Sequence, residues 1–232
     1  MIALERFRGL IVSVQAAPDS PLAPVDTIVA MARAAEAGGA VALRIESARN
    51  VRAVKARCAA PVIGLVKRSY PGFEPYITPT LAEVEELLSA GADVIAFDAT
   101  LRERPQGATT AQLVARIKRG GAFAMADCST EKDARAAHRL EVPILATTLC
   151  GYTKETEGAA LPAIGLVRGI RDFGQFVVCE GGVRDPSDVR AASDAGADAI
   201  VVGTAITNVA AVTARFTAAL PSHTRTDATA VK

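Results

Sequence analysis

The chain of 232 residues has no tryptophan, and aromatics make up only 4% of it. A surface that stacks bases needs such rings, so single-strand nucleic-acid binding is excluded as a function class. Charge of neither sign dominates: 26 Lys and Arg face 25 Asp and Glu, a net charge of +1. That balance leaves no electrostatic footprint for nucleic acid or an acidic membrane. Histidines number two, His138 and His223, and neither is read as catalytic. His138 is expected on an apolar helix face. The four cysteines, Cys58, Cys128, Cys150 and Cys179, lack CxxC or Cys/His ligand spacing, so no structural metal site is expected. No apolar stretch reaches membrane-spanning length, and the N-terminal MIALERFRGL lacks an apolar core followed by small residues. The expected location is the cytoplasm, where the thiols stay reduced.

What the chain does have is alternation. Half its residues are hydrophobic, and short apolar runs alternate with longer amphipathic segments. The runs are Leu10–Val14, Val41–Ile45, Val62–Val66, Val94–Phe97, Ala122–Ala126, Ile144–Thr147, Phe176–Cys179 and Ala199–Val202. Helices are expected at Val25–Ala37, Val51–Cys58, Leu81–Ala90, Thr110–Arg119, Glu131–Leu140, Leu161–Asp172, from Pro186, and at Val209–Leu220. An echo recurs as Ala37-Gly38-Gly39, Ala90-Gly91-Ala92 and Ala195-Gly196-Ala197, each just before an apolar run. Its spacing fits two and then four βα units. The chain therefore reads as α/β, a single (β/α)8 TIM barrel of the phosphate-binding type over 1–220. Residues 221–232 read as a frayed polar tail.

The stretch Phe176–Thr207 is the clearest βαβ unit, with glycine at both strand ends. Gly182 and Gly203 would lie side by side on one rim, followed by Thr204. Glycine lets backbone N–H groups approach a phosphate closely, and the helix N-termini that follow favour an anion. The plainer reading is that these glycines only turn the chain.

In such barrels the C-terminal strand ends face the active site. Those positions read Gln15, Arg44, Lys67, Asp98, Asp127, Thr148 and Glu180. Lys67 ends an apolar run, and a lysine in a low-dielectric mouth can act as a base; it could also be a solvated loop lysine. Glu180 sits four strands away in a ring of eight, so it would face Lys67 across the mouth. A substrate between them could lose a proton to one side and regain it from the other, which inverts a carbon next to a carbonyl. The alternative is a structural Lys–Glu ion pair. Arg44 could fork onto a phosphate or sugar oxygen, or pair with an acid such as Glu46. Asp127 could bind substrate hydroxyls or cap the next helix, although Ser129 or Thr130 could cap it instead. Asp98 is open between structural and substrate roles. Tyr152 is either a lid contact or a packed ring.

Taken in order, these pieces resemble the N-acylglucosamine-6-phosphate 2-epimerase (N-acetylmannosamine-6-phosphate 2-epimerase) family. The resemblance runs from Gly9 to Thr207. It rests on Ser13-Val14-Gln15, Arg44-Ile45-Glu46, Ile63-Gly64-Leu65-Val66-Lys67-Arg68, Tyr76-Ile77-Thr78-Pro79-Thr80, Asp98-Ala99-Thr100 and Met125-Ala126-Asp127-Cys128-Ser129-Thr130. It continues through Thr147-Thr148-Leu149-Cys150-Gly151-Tyr152-Thr153, Glu180-Gly181-Gly182 and Gly203-Thr204-Ala205-Ile206-Thr207. It implies interconversion of N-acetylmannosamine 6-phosphate and N-acetylglucosamine 6-phosphate in sialic-acid and amino-sugar catabolism. It further implies a homodimeric barrel with no metal and no organic cofactor. Lys67 falls on the family's base at C2 and Glu180 on the partner acid. Gln15, Arg44, Asp127, Thr148 and Tyr152 fall on substrate-site positions, and Gly182, Gly203 and Thr204 on the phosphate loops. Two departures stand out: Asn208-Val209 where the family carries Arg-Pro, and Ala146 where it carries glycine. The rival readings are a phosphate-barrel enzyme of the histidine, tryptophan or thiamine biosynthesis type, and a non-catalytic phosphosugar-binding barrel.

Overall fold

Eight parallel strands pair in chain order and close on themselves. They are β1 (Gly9–Val14), β2 (Ala42–Glu46), β3 (Val62–Leu65), β4 (Val94–Asp98), β5 (Phe123–Asp127), β6 (Ile144–Ala146), β7 (Phe176–Glu180) and β8 (Ala199–Val202). The helices between them are α1 (Val25–Ala37), α2 (Ala48–Lys55), α3 (Leu81–Ser89), α4 (Thr110–Arg119), α5 (Glu131–Arg139), α6 (Ile164–Ile170) and α7 (Pro186–Asp194), followed by α8 (Thr204–Thr207) and α9 (Val209–Ala218). This is the expected (β/α)8 barrel. The computed structural model describes residues 3–221, so the expected tail, from 222 on, and His223 lie outside it. No helix among the described residues is long and apolar enough to cross a membrane.

Local chemistry fixes the helix starts. Thr80, Thr109 and Thr130 each open a capping box, with Glu83, Gln112 and Asp133 closing it. Asp185 caps α7 ahead of Pro186. Ser47 accepts from the Asn50 N–H, which starts α2 before the expected Val51. The helix expected from Leu161 begins only at Ile164, because Pro162 disfavours helical geometry at the residue before it. In the glycine echo, Gly91 and Gly196 take positive φ, whereas after α1 that role falls to Gly39 rather than Gly38.

Alternation along the strands splits the core in two. Inside the barrel pack Ile11, Ala42, Ile63, Leu65, Val94, Ala96, Met125, Ile144, Ala146, Val178 and Val201. Outside, under the helices, pack Leu43, Ile45, Ile95, Phe97, Leu145, Val177, Ile200 and Val202, among others. Helix α9 is different: none of its residues is buried, and Phe216 is 74% exposed.

Strands β3 and β4 pair only through Ile63–Val94 and Gly64–Ile95. Above that point they splay, and the segment Tyr76–Thr78 fills the gap. Ile77 forms an antiparallel bridge with Lys67 on one side. Its carbonyl accepts from the Asp98 N–H, at 2.9 Å, on the other.

Candidate active site

The same period-two alternation builds the site. Continuing each inward row toward the C-terminal rim replaces apolar residues by polar ones. Ile11 leads to Ser13 and Gln15, Ala42 to Arg44 and Glu46, and Leu65 to Lys67. Ala96 leads to Asp98, Met125 to Asp127, Ala146 to Thr148 and Val178 to Glu180. On β8 the corresponding residue after Val201 is Gly203, so that sector of the rim carries no side chain. A Cβ there would sit 3.3 Å from the Ser13 Cβ.

Arg44 is the hub. Its Nη2 donates to Asp127 Oδ2 at 2.5 Å, and its Nη1 donates to Glu180 Oε1. Thr148 Oγ1 donates to Asp127 Oδ1 at 2.6 Å and contacts Glu180 Oε2 at 3.2 Å. Strand β6 stops at Ala146 because Thr147 turns its hydroxyl onto the backbone of Glu180, accepting from its N–H and donating to its carbonyl. Arg44 thus pairs with Asp127 and Glu180, not with Glu46. Both its terminal nitrogens are taken by carboxylates and only its buried Nε lacks a partner, so it is not a free fork for a phosphate.

Electrostatics follow from that crowding. Burial pushes the Asp127 carboxyl up and Arg44 pulls it back. Glu180 pushes it up again, to about 7 overall. Lys67 is exposed as a residue, yet the loss of water around its amine and then the Arg44 charge hold it below the ordinary lysine value. Glu46, Glu180 and Asp127 act in the opposite direction. Burial, with Asp127 and Asp98, raises the Tyr76 phenol and keeps it protonated.

Each expected residue can now be placed. Gln15 donates to Ser13 Oγ at 2.8 Å, and its own Oε1 is buried without a partner. Asp127 does not cap α5; Thr130 does. Asp98 accepts from Thr100 and Arg102 and shapes the loop after β4. Tyr152 is 57% exposed rather than packed, with its ring edge 3.6 Å from where a Cβ on Gly181 would stand. Gly182 has φ +72°, and a Cβ there would lie 2.3 Å from that of Leu161, so only glycine fits. Thr204 opens α8 at the rim. Asn208 caps α9, accepting from the Ala211 N–H at 3.0 Å. His138 is exposed, not on an apolar face, and contacts Gln175, which precedes β7 at the opposite end of the barrel. Cys128, Cys150 and Cys179 pack as buried thiols and Cys58 is half-buried. Among the described residues no three His, Cys, Asp or Glu side chains converge as metal ligands would.

Two residues at the mouth lay outside the expected set. Glu46, whose carboxylate meets the Lys67 N–H at 3.4 Å, was legible as the next inward position after Arg44. Tyr76 comes from the loop after β3, where no periodicity marks it.

Fold and mouth together define a class: a (β/α)8 barrel whose C-terminal rim gathers acidic and basic side chains. The NanE family model, described as "Putative N-acetylmannosamine-6-phosphate epimerase", matches residues 28–222. A bifunctional enzyme NanE/NanK of Brucella melitensis is 46% identical over 220 residues, which are 94% of this chain and 42% of that relative. A Yersinia pseudotuberculosis protein with the corresponding 2-epimerase description is 44% identical, over 87% of this chain and 85% of its own. The solved N-acetylmannosamine-6-phosphate 2-epimerase from Clostridium perfringens is 38% identical. It superposes with a TM-score of 0.91 over 94% of this chain and 96% of that one. The chain belongs to the NanE family, although it spans only 42% of the length of the Brucella relative.

Proposed function

We propose that this protein is an epimerase that interconverts N-acetylmannosamine 6-phosphate and N-acetylglucosamine 6-phosphate at C2. The observation that carries the reading is the disposition of Lys67 and Glu180. They extend the inward rows of β3 and β7, four strands apart in a closed ring of eight. Ring opening exposes the C1 carbonyl, which makes the C2 proton acidic. Lys67, whose amine loses its proton more readily than an ordinary lysine, takes that proton. The electron pair moves onto the C1 oxygen as an enolate. Glu180, an ion-paired carboxylate at rest, takes a proton from water and delivers it to C2 from the opposite face, and the configuration inverts. Gln15, Arg44, Asp127, Thr148 and Tyr152 hold the sugar. Backbone N–H groups at Gly182 and Gly203, with Thr204, take the phosphate. The step moves protons only, and no metal or organic cofactor is assigned to it.

We place the reaction in sialic-acid and amino-sugar catabolism, in the cytoplasm, where free thiols persist. We further propose a homodimer; the unburied apolar surface of α9 supports a second copy there. The test is proton NMR of N-acetylmannosamine 6-phosphate with the protein in heavy water. Signals of the epimer should grow while deuterium enters C2. Thermal stabilisation by the sugar without any C2 exchange would replace the enzyme by a binding barrel.

A further inference from the structure

Thr78 is the most constrained residue near the mouth. It is fully buried and has φ +44°, a left-handed conformation that a β-branched residue rarely takes. Three hydrogen bonds hold it there. Its N–H donates to the Val66 carbonyl at 2.7 Å. Its Oγ1 accepts from the Val66 N–H at 3.2 Å and donates to the Ala96 carbonyl at 2.7 Å. One side chain therefore ties the extension of β3 to β4 at the level where the two strands have parted. The Arg68 N–H donates to the Tyr76 carbonyl at 2.9 Å, so residues 66 and 68 are both pinned and Lys67 sits between them. A glycine would take this backbone without strain but would supply no hydroxyl.

We propose that Thr78 is a positioning residue, the pin of a wedge that fixes the backbone of Lys67 and so aims its amine into the barrel mouth. The proposal rests on the reading of Lys67 as the base. Charged groups reach that amine from three sides: Arg44 and Glu46 from β2, Asp127 from β5 and Glu180 from β7. If the wedge loosens, Lys67 swings toward water and leaves the Arg44 charge. Both changes return it toward the ordinary lysine value. Phosphate anchoring at the β7–β8 rim, on the far side of the barrel, is left intact.

Three substitutions separate hydroxyl from shape and strain. Thr78→Val keeps the shape and removes the hydroxyl. Thr78→Ser keeps the hydroxyl. Thr78→Gly relieves the backbone and removes the hydroxyl. With N-acetylmannosamine 6-phosphate, Thr78→Val and Thr78→Gly should lose about 100-fold in kcat with KM within a few-fold. The acid limb of their kcat/KM profile should move to higher pH, and amide exchange at Val66 and Thr78 should quicken. Thr78→Ser should stay close to the parent in all three. A Thr78→Val enzyme with the parent's kcat and pH profile overturns the proposal. So does equal loss of kcat and Tm in all three variants, which would mean a folding role. Lys67→Ala is measured alongside: full turnover there overturns the base assignment instead, whatever the Thr78 variants do.

Discussion

Arg44 and Asp127 meet on the inward faces of β2 and β5 in an ion pair of 2.5 Å, with side chains 3% and 0% exposed. The same guanidinium carries Glu180 on its other terminal nitrogen. One cation therefore balances two buried acids. Removing it leaves two carboxylates facing each other in a dry site. Arg44→Met should cost about 3–5 kcal/mol of stability, the usual penalty for orphaning a buried charge. Denaturant unfolding and turnover check it together. A loss under about 1 kcal/mol would mean that water already reaches the pair.

Lys67 should behave in the opposite way. Its side chain forms no ion pair among the described residues, and the hydrogen bond to Glu46 is made by its backbone N–H. Lys67→Ala should therefore leave the melting temperature nearly unchanged. Turnover and C2 deuterium exchange should both fall by about 10²–10⁴, the range expected for a lost general base. Exchange persisting at the parent rate would move the base elsewhere on the rim.

These contrasts explain what was legible in the sequence. Strand order, helix positions and the inward acids follow from period-two alternation, which survives in the residue order. Arg44 was visible as an inward cation, but its partner was not: Glu46 is nearest in sequence, whereas Asp127 and Glu180 are nearest across the closed ring. Closure geometry chooses between them, and no local pattern encodes it. The wedge at Tyr76–Thr78 escaped for a similar reason. Its hydrogen bonds depend on how far β3 and β4 splay, and its left-handed residue is a threonine, not a glycine that would announce the turn.

The raised carboxyl of Asp127 makes stability depend on pH. Its folded value is about 7 against an ordinary 3.8, because burial and Glu180 outweigh Arg44. The folded state therefore binds a proton that the unfolded chain releases between those values. The resulting stability is fully present below about pH 4 and is lost as pH rises through about 7. Asp127→Asn removes this dependence. Subtracting its unfolding free energy from that of the parent at each pH should give a difference that falls between about pH 4 and 7 and is flat above. A flat difference would mean that Asp127 titrates like an ordinary aspartate.

The two rim glycines should respond unequally to alanine. Gly182 has positive φ and its Cβ would collide with Leu161 at 2.3 Å, so backbone or loop must move. Gly203 has φ −111° and its Cβ would only press Ser13 at 3.3 Å. Gly182→Ala should raise KM at least tenfold through the displaced phosphate loop, with Gly203→Ala milder. Equal KM values for both variants would detach the phosphate from the loop after β7.

Asn208 offers a gain rather than a loss. It stands one residue beyond α8, at the rim that carries Gly203 and Thr204, in the place where the family resemblance implies arginine. Here it caps α9 through the Ala211 N–H. Asn208→Arg gives up that cap, at about 1 kcal/mol, and α9 buries no residues that would amplify the loss. In return it brings a guanidinium toward the proposed phosphate. A hydrogen bond to a charged group is worth about 1.5–3 kcal/mol, so KM for N-acetylmannosamine 6-phosphate should drop roughly tenfold or more at low salt. The gain should shrink at 1 M salt, where the Debye length is only about 3 Å. An unchanged KM at both salt concentrations would place the phosphate away from the β8 rim, and the sugar would then have to be turned around within the mouth.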